Sequence, residues 1–202
     1  MSPSTASTPE RIVKAAVKLF YAEGIRAVSM DAVAQKAGVT KRTLYYHFES
    51  KDDLVAAYLQ TRDQPNLAFF QRCFAGTQGD VADKVAGIFR ELARAAGRPG
   101  WKGCGFLRTS VELVNMPGHP AMKAARLHKR RVEEWLDGVF KAAGISTPES
   151  LARQIVLLLD GSFATTLLHR DPAYMEDAAE AALTLIRAAR PPAKAGLKPR
   201  RF

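Results

Sequence analysis

The stretch GIRAVSMDAVAQKAGVTKRTLYYHFESKDDL (residues 24–54) sets the reading of this 202-residue chain. Gly24 stops a first helix in which Ile12, Ala15, Ala16, Leu19 and Phe20 recur at helical spacing. That helix starts at Pro9, with Thr8 expected as its N-cap and Glu10 close to its positive end. Ser29 caps a short second helix whose Met30, Val33, Ala34 and Ala37 face inward, and Gly38 ends it. Val39 crosses to Thr40, the cap of a third helix over Lys41 to Phe48. Ser50 opens a fourth, with Asp53 three residues on in a near capping box. Two short helices joined by a glycine-containing turn make a helix-turn-helix, and the tight turn holds the second crosswise, able to enter a major groove. Leu44 and Phe48 lie four apart and anchor one side of that helix. Lys41, Arg42, Thr43, Tyr45, Tyr46 and His47 occupy the rest of it.

Outward from this stretch, amphipathic helices are expected over 51–75, 80–96, 104–115, 119–143, 148–169 and 173–190. Gly76/Gly79, Gly97 to Gly100, Pro117-Gly118, Gly144 and Asp171-Pro172 separate them, and Pro65 should kink or break the first. Hydrophobic residues make up 47% of the chain, enough for a core, and alternating Val/Ile/Thr runs are scarce, so the fold class is all-α. The expected organisation is a disordered N-terminus (1–8), a helix-turn-helix domain (9–56), a helical body (57–190) and a basic, disordered tail (191–202).

The net charge of +10 is unevenly placed. Residues 1–60 hold eight Lys/Arg against six Asp/Glu, whereas 98–131 hold eight against one and 187–202 six against none. A basic chain often binds a polyanion, but here the excess lies mostly outside the segment expected to touch DNA, so the motif carries the inference. Met1 to Thr8 lacks a leader's apolar region, and the longest aliphatic run, Ile155 to Leu159, stops at Asp160; no membrane partner and a cytoplasmic location are expected. Cys73 and Cys104 lie far apart without ligand spacing. No nucleophile triad order, phosphate-binding loop, zinc spacing or paired-carboxylate motif is present, so no catalytic residue, cofactor or metal is expected.

Residues 24–54 closely resemble the DNA-binding signature of the tetracycline-repressor (TetR) family, most distinctively in Leu44-Tyr45-Tyr46-His47-Phe48 and Ser50-Lys51. The resemblance covers 9–56; the remainder matches in size, helicity and order alone. It implies an N-terminal three-helix helix-turn-helix domain plus a C-terminal helical ligand-binding/dimerisation domain. It also implies that the Ser29 and Thr40 hydroxyls cap helices and meet phosphate. Tyr45, Tyr46, His47 and Lys51 would grip the DNA backbone, with Tyr45 sometimes reaching a base, and Lys41, Arg42 and Thr43 would form the base-facing start of the recognition helix. Arg42 departs from the many relatives with Gly, Ala or Pro there; arginine serves either a guanine edge or a phosphate. The plainer alternatives are packing on the first helix for Tyr45 and a solvated charge for Lys51.

For the body, the resemblance implies a buried small molecule and dimerisation through the last two helices. Leu151, Ile155, Leu158, Ser162 and Thr165 on one helix, with Ala182, Leu183 and Ile186 on the next, are the candidate dimer residues; a plain monomer core is the alternative. Candidate pocket residues are Phe89, Leu92, Trp101, Phe106, Leu107, Thr109, Ser110, Leu113, Met116, Trp135 and Phe163. Glu112, the one acid in 98–131, is expected to pair with Arg108. Cys104, beside Lys102, is either a small buried cysteine or a sensing thiol. The function expected is a homodimeric repressor released from a palindromic DNA operator by a small-molecule effector. The alternatives are a ligand-independent regulator answering to a thiol or protein partner and, more distantly, a helical enzyme.

Overall fold

The computed structural model describes residues 6–190, which contain nine α-helices and no strand. These are α1 (Thr8–Glu23), α2 (Met30–Ala37), α3 (Lys41–His47), α4 (Lys51–Gly76), α5 (Val81–Ala96), α6 (Gly105–Glu112), α7 (Pro120–Ala142), α8 (Pro148–His169) and α9 (Ala173–Ala188). The tail from 191 to 202 and the first five residues, on which expectations of disorder fell, lie outside the described residues.

Side-chain caps fix the starts of α2, α3 and α4. Ser29 Oγ accepts from the Ala32 amide, Thr40 Oγ1 from Thr43 and Ser50 Oγ from Asp53, each at 3.1 Å. The cap of α1 is Ser7, one residue earlier than expected, because the Ser7 amide donates to Glu10 Oε2 at 2.8 Å and sets the boundary there. Gly38, at φ 66, closes α2 in the left-handed region that a side chain rarely adopts. Arg11 of α1 then clasps the turn, donating to the Ala37 carbonyl at 2.8 Å and to that of Gly38 at 3.1 Å.

Helix α4 runs unbroken through Pro65, where a kink or break was expected. A proline ring clashes with the carbonyl four residues back and lacks a donor, costing about 3 kcal/mol in an unsupported helix interior. Here Pro65 sits on the exposed side, while Leu54, Val55, Tyr58, Leu59 and Phe70 bury the other side, so packing on α1, α5 and α7 holds the rod together. In the head, Ile12, Ala16 and Phe20 of α1 join Val33 and Ala34 of α2 and Leu44 of α3 in the buried cluster. In the body, α5 lies along α9, α7 lies against both α4 and α8, and α8 is flanked by α7 and α9.

Helix α8 is apolar on two sides. Its mean hydropathy reaches 1.3, so by length and composition alone it is long and apolar enough to cross a membrane, a property not foreseen from the aliphatic runs. One side is core: Leu151, Ile155 and Ser162 of α8 are buried with Ala182, Leu183 and Ile186 of α9 inside a single protomer. These six were expected at a dimer contact and are corrected to core positions. The outward apolar side is rotated from them and carries Leu157 (72% exposed), Gly161, Ala164 and Leu168 (76% exposed), flanked by half-buried Leu158 and Thr165. Helical periodicity reports an apolar side without saying which neighbour covers it.

A buried charged cluster joins α4 to α7. His128 Nδ1 lies 2.8 Å from Asp63 Oδ1, Arg131 pairs with Asp63 Oδ2, and Phe106 stacks on the imidazole with centroids 3.8 Å apart. Burial pushes the imidazole down from 6.5 to about 4; the Lys129 charge pushes the same way and Asp160 opposes. At neutral pH His128 is therefore uncharged and donates from Nδ1 to the carboxylate. As pH falls, the unfolded chain takes up this proton before the folded one does. Stability is accordingly full above 6.5 and declines between 6.5 and 4, by on the order of 3 kcal/mol at the limit. Urea-denaturation midpoints across that range should fall more steeply for the native chain than for His128→Gln. Parallel curves for the two proteins would remove His128 as the titrating group.

Candidate nucleic-acid interface and cavity

The three caps leave α3 standing out from the head. Leu44 is fully buried, whereas Lys41, Arg42, Tyr45, Tyr46 and His47 are exposed, Tyr46 by 84% and Tyr45 by 42%. Positions 41, 42, 45 and 46 share one helix side by spacing. Exposed Ser29 and Thr40 sit at the N-terminal ends of α2 and α3, and half-buried Lys51 opens α4. Thr43 is half-buried, its hydroxyl 2.8 Å from that of Thr40.

The cations on this surface differ. Lys41 Nζ lies 3.0 Å from Asp31 Oδ1, and this hydrogen-bonded partner raises the ammonium pKa above its ordinary value. Arg42 has no carboxylate within salt-bridge distance among the described residues, which leaves its planar fork of donors unengaged. Lys51 is not a plain solvated charge: partial burial pushes its pKa down, and the charges of Glu112 and Asp52 oppose the shift. Tyr46 and His47 meet edge to face, with centroids 5.1 Å apart.

The body encloses a cavity of about 190 Å³, walled by α1, α4, α5, α6, α7 and α8. Of the expected lining residues, Leu92, Trp101, Phe106 and Phe163 face it. The other candidates do not. Phe89, Thr109 and Leu113 are buried core, and the Ser110 hydroxyl bonds the Phe106 carbonyl within its own helix. Met116 is exposed beyond the end of α6, Trp135 packs edge-on against Phe74, and Leu107 lines a surface groove with Leu168. Much of the remaining wall comes from residues not among the candidates: Tyr21 of α1, Tyr58, Arg62, Asn66 and Phe69 of α4, and His128 and Lys129 of α7. The spacing of 58, 62, 66 and 69 is a helical stripe of aromatic and polar residues, the one signal in the sequence that pointed here. Cys104, the residue before α6, is buried on the cavity wall, and its cationic neighbour is Lys129, with Nζ 3.9 Å from Sγ, rather than Lys102.

Helix α6 connects this cavity to the head. Its first residues, Gly105 and Phe106, line the cavity. At its other end, Glu112 Oε2 accepts from the amides of Ile25 at 2.8 Å and Arg26 at 3.1 Å, just past the end of α1. Arg108 Nη1 donates to the Tyr21 carbonyl at 2.9 Å, and the Tyr21 hydroxyl accepts from the Lys102 amide at 2.8 Å. The expected Glu112–Arg108 pair is thus replaced by two separate clasps. An exposed i,i+4 pair is worth only about 0.2–0.5 kcal/mol, whereas the end of α1 offers unsatisfied amides and carbonyls to a carboxylate and a guanidinium. His119 Nε2, 3.2 Å from Asp52 Oδ1, ties the α6–α7 connection to the start of α4 in the same way.

Residues 12–58 match the profile described as bacterial regulatory proteins, tetR family. The HTH-type transcriptional regulator SrpR of Pseudomonas putida is 40% identical over 58 residues, a match spanning 29% of this chain and 27% of that protein. A solved TetR-family transcriptional regulator from Streptomyces coelicolor is 30% identical, with TM-score 0.79, and the match covers 90% of this chain and 95% of that one. A TetR transcriptional regulator from Legionella pneumophila, 22% identical, shares the fold at TM-score 0.76 over 93% of this chain and all of that one. A helix-turn-helix with an exposed Lys41–His47 helix, carried on a helical body and matched along nearly the whole chain, places this protein in the TetR family of DNA-binding transcriptional regulators.

Proposed function

We propose that the protein is a homodimeric repressor, held on an approximately palindromic operator and released when a small molecule enters the body cavity. The head over 9–56 binds DNA, the body over 57–190 senses and dimerises, and the protein works beside its operator in the cytoplasm. The observation that carries this reading is α6, with one end at the cavity and the other clasped to α1. Eight helical residues span only about 12 Å. A ligand that displaces α6 therefore pulls on Tyr21, Ile25 and Arg26, and through α1 on the core that seats α3. DNA and effector then oppose each other by one reciprocal coupling free energy.

Dimerisation falls to the outward apolar side of α8, with Leu185 of α9 beside it. A two-fold contact there duplicates the heads, so two α3 helices meet successive major grooves. On the DNA, Ser29, Thr40, Tyr45, Tyr46, His47 and Lys51 hold phosphates, while Lys41, Arg42 and Thr43 face base edges. Arg42 has no salt-bridge partner among the described residues, which favours it over the paired Lys41 for a base contact.

Tyr46→Ala and Lys51→Ala should weaken binding to all DNA sequences alike. Arg42→Ala should cost about 1–3 kcal/mol at one operator base pair and relax discrimination there. Fluorescence anisotropy against an operator and its single-base variants reads the difference, and a uniform loss for Arg42→Ala would move that side chain to a phosphate. Glu112→Gln keeps the shape but removes the charge that strengthens two backbone bonds. It should leave ligand affinity nearly unchanged while reducing the ligand-induced drop in operator affinity; an unaltered drop in a ligand titration would sink the α6 route. Leu157→Arg combined with Leu168→Arg should sediment as a folded monomer that has lost tight operator binding. A persistent dimer would put the interface elsewhere.

A further inference from the structure

We propose that the cavity takes a small planar aromatic acid, one ring carrying one negative group; the inference rests on the cavity being the effector site. Its size sets the first limit. A dry engineered cavity of about 150 Å³ holds benzene, so the present 190 Å³ suits one ring with a small substituent. Its walls set the second. Trp101 and Phe163 stand nearly parallel, 17° apart, and the rings of Phe106 and His128 are 10° apart. A lining built of two stacked aromatic pairs rewards a flat ligand in offset or edge contact more than a flexible chain.

Charge sets the third limit. Two cationic side chains, Arg62 and Lys129, line the cavity, and among the described residues no Asp or Glu does. Lys129 is paired to Asp160, which lies outside the lining. Arg62 is exposed, marking the open side, and among the described residues its guanidinium is met only by Asn66 Oδ1 at 3.4 Å. The other titratable groups at this wall add no opposing charge. Asp63 is engaged by both Arg131 and His128, and the imidazole is neutral at neutral pH. A cationic ligand would meet two like charges. A neutral ligand would cover Arg62 without compensating it, and only an anion satisfies the guanidinium as water leaves.

Trp101 and Trp135 are the two tryptophans of the chain, and Trp135 lies off the cavity. In a Trp135→Phe background, Trp101 emission therefore reports occupancy without DNA. The probes are benzoate, benzamide, benzylammonium and hexanoate. Benzoate should bind about tenfold more tightly than benzamide, as expected for a hydrogen bond to a charged group. Benzylammonium should not bind, and hexanoate should bind more weakly than benzoate. Arg62→Gln, at an exposed position, should abolish the preference for benzoate over benzamide while leaving benzamide unchanged. The proposal is overturned if benzamide or benzylammonium equals benzoate, if hexanoate surpasses it, if none of the four perturbs Trp101, or if Arg62→Gln preserves the preference. Benzoate binding with the stated preference but without operator release would keep the ligand class and reject the effector reading. Release by a neutral or cationic compound that perturbs Trp101 would do the reverse.

Discussion

Helix α4 carries one continuous hydrophobic core from the head into the body. Its first turns bury Leu54, Val55 and Tyr58 beside α1, and its later turns bury Phe70 in the body, with Asp63 fastened to α7 between them. A hydrogen-bonded helix of 26 residues resists bending, and it continues through Pro65, whose cost packing offsets. Head and body therefore share one backbone element. Any relative adjustment falls on the polar clasps around it: Glu112 on Ile25 and Arg26, Arg108 on Tyr21, and His119 on Asp52. Such bonds are directional and few, and can be exchanged where a packed core cannot.

The parts legible in the sequence were those settled by neighbours a few residues away. Ser29, Thr40 and Ser50 cap where serine and threonine stand before an apolar-periodic run, and Gly38 ends α2 because the chain there needs a positive φ. The head was readable almost residue by residue for that reason. The body was not, since its site depends on which helices meet. Periodicity marked Leu151 and Ile155 as apolar-facing but could not say that the helices of this same chain bury them. Glu112 was misassigned because its partners lie 86 and 87 residues away in sequence. Most of the cavity wall was missed, both the mixed stripe of Tyr58, Arg62 and Asn66 and apolar residues such as Phe70, Val132 and Leu159, because periodicity does not say which helix sides meet around a cavity.

Electrostatics contributed least to identifying the head and most to characterising the cavity. The head is only slightly basic, and Lys41 is tied to Asp31, so its interface with DNA depends on placement of single groups more than on total charge. In the cavity the number of charges is small as well: half-buried Lys129 is tied to Asp160, and exposed Arg62 stands at the open side. What distinguishes these two cations is their place beside an aromatic lining that holds no carboxylate among the described residues.

Tyr21 belongs to α1, yet its ring is part of the cavity wall and its carbonyl and hydroxyl are both held by the segment around α6. The cavity is therefore not a property of the body alone. A chimera that exchanged the heads of two such regulators at the end of α3 would also exchange one wall of the chamber. The lining of the cavity would change along with the DNA-binding surface. Modules that look separable along the chain are, at this one side chain, a single part, and a clean transplant would have to carry Tyr21 with the recipient body.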